Sequence, residues 1–120
     1  MRAWIDSKLL WNNTGIKIYA GSTYIFCVSE GQYWQDWWVK TDANGFDMWY
    51  MTPFKKLLRY PNAKWLTLIG TIDHCYTFVI GKNTILRAPI SGELICYAND
   101  AAKFYKNNKG SIELLITEYV

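Results

Sequence analysis

The residues of this chain best suited to chemistry lie in one stretch, Asn99-Asp100-Ala101-Ala102-Lys103-Phe104-Tyr105-Lys106-Asn107-Asn108-Lys109-Gly110-Ser111. Asp100 supplies a carboxylate, adjacent amides follow seven and eight residues later at Asn107 and Asn108, and Gly110 closes the loop. Calcium takes roughly six to eight hard oxygens from carboxylates, amide side chains and backbone carbonyls, and a loop that doubles back can bring these to one ion. Magnesium suits the set less well, because it demands a strict octahedron and keeps several waters. Zinc is excluded by the absence of His or Cys from the stretch. The same residues also suit a polar hairpin whose Asn and Asp cap their own turn. Spacing alone leaves both readings open.

Other chemistry finds little support. The single histidine, His74, adjoins Cys75, but no Cys-x-x-Cys or His-x-x-x-His spacing accompanies it. There is no Gly-x-Ser-x-Gly elbow, no matched pair of acids and no Cys-His arrangement outside an apolar strand, so the chain reads as a non-enzyme. Cys27, Cys75 and Cys96 are odd in number and sit in apolar stretches, the pattern of buried thiols in a reducing compartment. The N-terminal Met1-Arg2-Ala3-Trp4-Ile5-Asp6 lacks the apolar run of a signal peptide, which implies synthesis in the cytoplasm. Net charge is +3, with basic residues scattered singly or in small groups such as Lys55, Lys56 and Arg59, too sparse for a nucleic-acid footprint. No apolar run approaches the ~18 residues of a membrane helix, so no membrane insertion is expected.

The elements that must position the loop read as strands. Ile16–Tyr19, Thr23–Val28, Leu66–Ile69, Tyr76–Ile80, Gly92–Tyr97 and Ile112–Thr117 are short apolar runs or alternate with period two. Turn residues separate them, among them Asn13-Thr14-Gly15, Ala20-Gly21-Ser22, Gly81-Lys82-Asn83 and Asn107-Asn108-Lys109-Gly110. Helix is limited to about one turn near Ala101–Phe104. With 120 residues, this predicts one domain over 1–120, an all-β antiparallel sandwich of jelly-roll type. Aromatic residues make up 18% of the chain, a fraction that suits a β-rich core, a sticky interface or a sugar platform, and many gather in the irregular stretch Trp34 to Tyr60. That connection is a candidate wall of a binding site, or equally an edge or oligomer interface.

The chain resembles the LecA-type (PA-IL) galactophilic lectins, small galactose-binding-domain-like sandwiches that hold a sugar through bound calcium. The resemblance runs through Trp11-Asn12-Asn13-Thr14-Gly15-Ile16, Gly21, Gly31, Ala63, Leu68-Ile69-Gly70, Ile80-Gly81, Ala88-Pro89 and Gly92. It ends on its most specific part: Asn99-Asp100, Tyr105, Asn107-Asn108 and Gly110-Ser111. It implies a Ca²⁺ held by Asp100, Asn107 and Asn108, by the backbone carbonyl of Phe104, and by a carbonyl of Gln35, with Asp36 as the alternative. It further implies a galactose-type glycan whose hydroxyls complete the calcium shell and bond to Asp100, Asn107 and the backbone near Ala101. Phe104 stands where the lectins have Thr, which removes a hydroxyl and brings a ring to the sugar. Their His-Pro-x-Gln wall is matched only by Thr52-Pro53-Phe54-Lys55, through Pro53. The resemblance also implies a homo-oligomer that acts after release from the cell. The alternative is a LecA-like sandwich serving as a protein-interaction or assembly module without sugar binding.

Overall fold

A computed structural model of the chain describes residues 1–119. Eleven strands and two 3-10 segments follow in order: β1 (Arg2–Asp6), β2 (Asn12–Ile18), β3 (Thr23–Val28), β4 (Trp34–Asp36), β5 (Val39–Thr41), a 3-10 segment (Trp49–Leu57), β6 (Leu68–Ile72), β7 (Tyr76–Val79), β8 (Asn83–Arg87), β9 (Gly92–Ala98), a 3-10 segment (Ala102–Asn107), β10 (Asn108–Lys109) and β11 (Ser111–Tyr119). Two four-stranded sheets, β1-β11-β3-β8 and β2-β9-β6-β7, form the sandwich, and a small third sheet, β10-β4-β5, sits beside it. Every pairing is antiparallel. The chain crosses between the large sheets repeatedly, as in a jelly roll, which confirms the all-β sandwich expected from the alternation. Among the described residues no helix is long and apolar enough to cross a membrane.

Period-two patterning explains the core. In β11, Ile112, Leu114 and Ile116 point inward while their neighbours face out. They meet Tyr24 and Phe26 of β3 on their own sheet, and Leu68, Ile72, Leu94 and Cys96 from the opposite one. Each such side chain contributes about 1.5–3 kcal/mol through burial. Strand β9 is buried on both faces. Leu94, Cys96 and Ala98 enter this core, whereas Tyr97 joins Ile69, Ala63 and the half-buried Tyr60 in a second cluster. That outer cover, residues 59–67, is pinned by Asn99. The Asn99 Oδ1 accepts from the Tyr60 N–H, and its Nδ2 donates to the carbonyls of Tyr60 and Lys64.

Two of the three thiols depart from expectation. Cys27 and Cys75 are exposed and only Cys96 is buried; all three are free. An apolar neighbourhood in sequence does not bury a residue on the outward phase of its strand, and Cys27 lies on that phase of β3, between buried Phe26 and Val28. Burial raises the Cys96 thiol pKa far above its ordinary value.

Candidate functional site

The loop that closes β9 builds one wall of a cleft of about 450 Å³, lined by Asp36, Trp37, Met51, Phe54, Leu57, Trp65, Asp100, Ala101, Lys103, Phe104 and Asn107. Its polar end comes from two sequence-distant pieces. Strand β10 pairs with β4, placing Asn108 opposite Asp36 and Lys109 opposite Gln35. The Trp37 N–H donates to the Asn107 carbonyl at 2.9 Å. Gly110 then turns the chain into β11 with φ +92°, where a Cβ would stand 3.3 Å from the Trp34 Cα, so a side chain is disfavoured by conformation and by space.

Asp100 is 2% exposed and Asn108 fully buried, and each leaves an oxygen without a partner: Asp100 Oδ2 and Asn108 Oδ1. The other half of each side chain is used. Asp100 Oδ1 accepts from the Ala101 N–H at 2.7 Å, and Asn108 Nδ2 donates to the Ser7 carbonyl at 2.9 Å. The Asn108 side chain lies close enough to the Asp100 carboxylate to oppose the rise in its pKa, while its Nδ2 donates to Ser7 and its buried Oδ1 has no partner. Buried acceptors without donors cost about 1–3 kcal/mol each, so the fold maintains this end of the cleft at a loss. Burial raises the Asp100 carboxyl above the usual carboxylate range, opposed in part by the Ala101 N–H and by the Asn108 side chain. The Asp36 carboxyl is pushed up to about 6, first by burial and second by the negative charge of Asp100. A group of hard oxygens that includes the Asp36 and Asp100 carboxylates and the Asn108 amide suits a divalent cation of the calcium type.

The residues anticipated from the sequence divide in two. Asp100, Ala101, Phe104 and Asn107 line the cleft together, with Asn108 behind them. Gln35, of which the resemblance implies only the backbone carbonyl, is not among the lining residues; its side-chain Nε2 donates to the Trp37 carbonyl at 2.6 Å, and β4 lines the cleft through Asp36. Thr52 and Pro53 are exposed in the first 3-10 segment and lie outside the lining, where Met51, Phe54 and Leu57 take their place. Phe104 stands at the rim beside Lys103, whose ammonium is 5.7 Å from its ring centroid.

The opposite wall is aromatic. Trp37 and Trp38 form the two-residue turn between β4 and β5, with their rings 4.9 Å apart, and Trp37 holds φ +54°. A left-handed conformation costs a non-glycine residue about 1–2 kcal/mol, yet this one carries a ring 68% exposed at the cleft edge. A smaller annex of about 260 Å³ continues the wall past Trp38, Met48 and Tyr50.

Sequence reasoning missed the support of this site. Arg59, read as part of a loose basic group, lies with its guanidinium carbon 3.7 Å from the Tyr97 ring centroid and 4.3 Å from that of Trp11. Its Nη1 donates to the Tyr105 hydroxyl at 2.7 Å and to the Leu10 carbonyl at 2.6 Å, while its backbone N–H donates to the Asp100 carbonyl. Tyr105 in turn donates to the Ala98 carbonyl. The clamp thus spans the loop from Ala98 to Tyr105; no spacing in the sequence announces it, because its four side chains come from distant segments.

No protein-family model matches the chain, and no curated protein matches it. Its fold is that of a solved structure described as "EclA N-terminal domain; PllA-like lectin". The superposition covers 98% of this chain and 95% of that one, with a TM-score of 0.73 and 16% sequence identity. The shared property is the sandwich: this chain has the fold of a lectin domain, and the neighbour is called PllA-like, not LecA.

Proposed function

We propose that the protein is a calcium-dependent carbohydrate-binding lectin, with galactose or a galactose-containing glycan as its ligand. The observation that carries this reading is the pair of unpartnered buried oxygens, Asp100 Oδ2 and Asn108 Oδ1, at the polar end of an otherwise aromatic cleft. Such a pair destabilises the fold unless a cation or a donor such as an ordered water answers it. Asp100, Asn107 and Asn108 would hold the ion with their side chains, joined by the Phe104 carbonyl. A bound calcium supplies a centre that polarises neighbouring hydroxyls. Beside it, Asp100 accepts hydroxyl hydrogens in charge-assisted bonds that discriminate between epimers. Phe54, Trp37 and Phe104 offer flat faces to the apolar CH side of a hexose. The likeness in fold to a lectin domain points the same way. A homo-oligomer would raise weak single-site affinity through avidity.

A second reading has its own observation. Trp37 and Trp38 of the β4–β5 turn and Trp49, Tyr50 and Phe54 of the first 3-10 segment are all exposed, a surface that also suits protein–protein assembly. A glycan array run with calcium and again with chelator separates the two. Binding of terminal galactosides that is lost on chelation supports the lectin. A calcium-stabilised protein that retains no glycan supports assembly.

A further inference from the structure

Resting on the calcium reading above, we infer that the Asp36 side chain is itself a ligand, making this a two-carboxylate cation site. The family resemblance asks only a backbone carbonyl of this part of the chain; the carboxylate is an addition carried by the sequence. Three features of the structure converge on it. The alternation of β4 puts Asp36 on the same side as Trp34, which is buried, and turns Gln35 away to the Trp37 carbonyl. The β4–β10 register sets Asp36 directly across from Asn108, whose buried Oδ1 lacks a donor. Asp36 and Asp100 line one cleft, and none of the ion pairs among the described residues involves either.

Two carboxylates facing one low-dielectric cleft repel, and among the described residues no arginine or lysine forms an ion pair with either. A divalent cation between them offsets both charges at once. Calcium accepts such a set readily, because its coordination is flexible and its affinity rises with the number of charged ligands. The one basic residue in the lining, Lys103, leans over the Phe104 ring at the rim.

The test uses the full chain and calcium alone. Calcium affinity is measured by titration calorimetry for the wild type, Asp36→Asn and Asp100→Asn, with terbium luminescence excited through the nearby tryptophans as a second readout. Asn matches Asp in shape and relieves the repulsion, so the metal-free variant folds. The expected result is one calcium per chain in the wild type and an affinity at least about tenfold weaker in Asp36→Asn, with terbium emission reduced in parallel. Calcium binding by Asp36→Asn within about twofold of the wild type overturns the inference and leaves the calcium reading standing. A wild type that binds neither ion overturns both.

Discussion

Asp100→Asn should do opposite things to stability in the absence and presence of calcium. In the metal-free protein Asp100 Oδ2 and Asn108 Oδ1 are both buried acceptors without donors. Asparagine keeps the Oδ1 that accepts from Ala101 and replaces the unpartnered Oδ2 with an NH₂, which removes a buried acceptor and the charge that burial penalises. One substitution therefore removes an orphaned acceptor and a buried charge together. At about 1–3 kcal/mol for an unsatisfied buried polar group, the variant should gain roughly 1–3 kcal/mol without metal. Saturating calcium reverses the order. At a thousandfold excess over its Kd, a ligand that binds only the native state adds about 4.1 kcal/mol, and the variant forfeits most of this with its carboxylate. Urea unfolding of both proteins, with chelator and with millimolar calcium, should give curves whose midpoints exchange order. A variant less stable than the wild type under both conditions would refute the reasoning, since it would mean that the carboxylate is satisfied by the protein alone.

Arg59→Ala should destabilise the protein by about 2–3 kcal/mol, from the loss of stacking on Tyr97 and Trp11 and of charged hydrogen bonds to Tyr105 and Leu10. It should also weaken calcium binding by loosening the loop after Asp100; an unfolding midpoint unchanged within error would rule out the clamp. Metal-free stability should fall as pH rises toward neutrality. The native state holds the Asp36 proton up to about 6, above its ordinary 3.8, so the stabilisation is complete below the ordinary value and lost as pH passes about 6. Asp100, raised in the same direction, adds to that fall. Asp36→Asn should flatten the profile, and a metal-free profile of equal slope in variant and wild type would contradict the assignment.

Much of the scaffold was legible because burial repeats along a strand. Thr23–Val28 reads as a strand and is one, residue for residue, and β9 and β11 extend the runs seen at Gly92–Tyr97 and Ile112–Thr117 by only a few residues. The strands that escaped notice are β1, β8 and the three short ones of the small sheet. Asn83–Arg87 has no fully buried residue and Arg2–Asp6 has one, so neither shows the apolar alternation that marks a half-buried strand. Strands of two or three residues, such as β10 and β4, carry no period at all.

For the site, the residue types and spacing of Asp100, Asn107 and Asn108 were enough to nominate a hard-cation loop, because ligand chemistry is a property of side chains and one loop is local. What faces that loop was a matter for the tertiary structure alone. The choice of Asp36 over Gln35 depends on the β4–β10 register, and a shift of one residue would reverse which side chain meets the cleft. The replacement of Thr52 and Pro53 by Met51, Phe54 and Leu57 depends on how the 3-10 turns of Trp49–Leu57 present their faces. The Arg59 clamp depends on Trp11, Tyr97 and Tyr105 meeting from three parts of the chain. Sequence determines which groups are available to bind. Contacts between segments 40 or more residues apart are set by packing, and packing decides which of those groups lose water and are left facing one another.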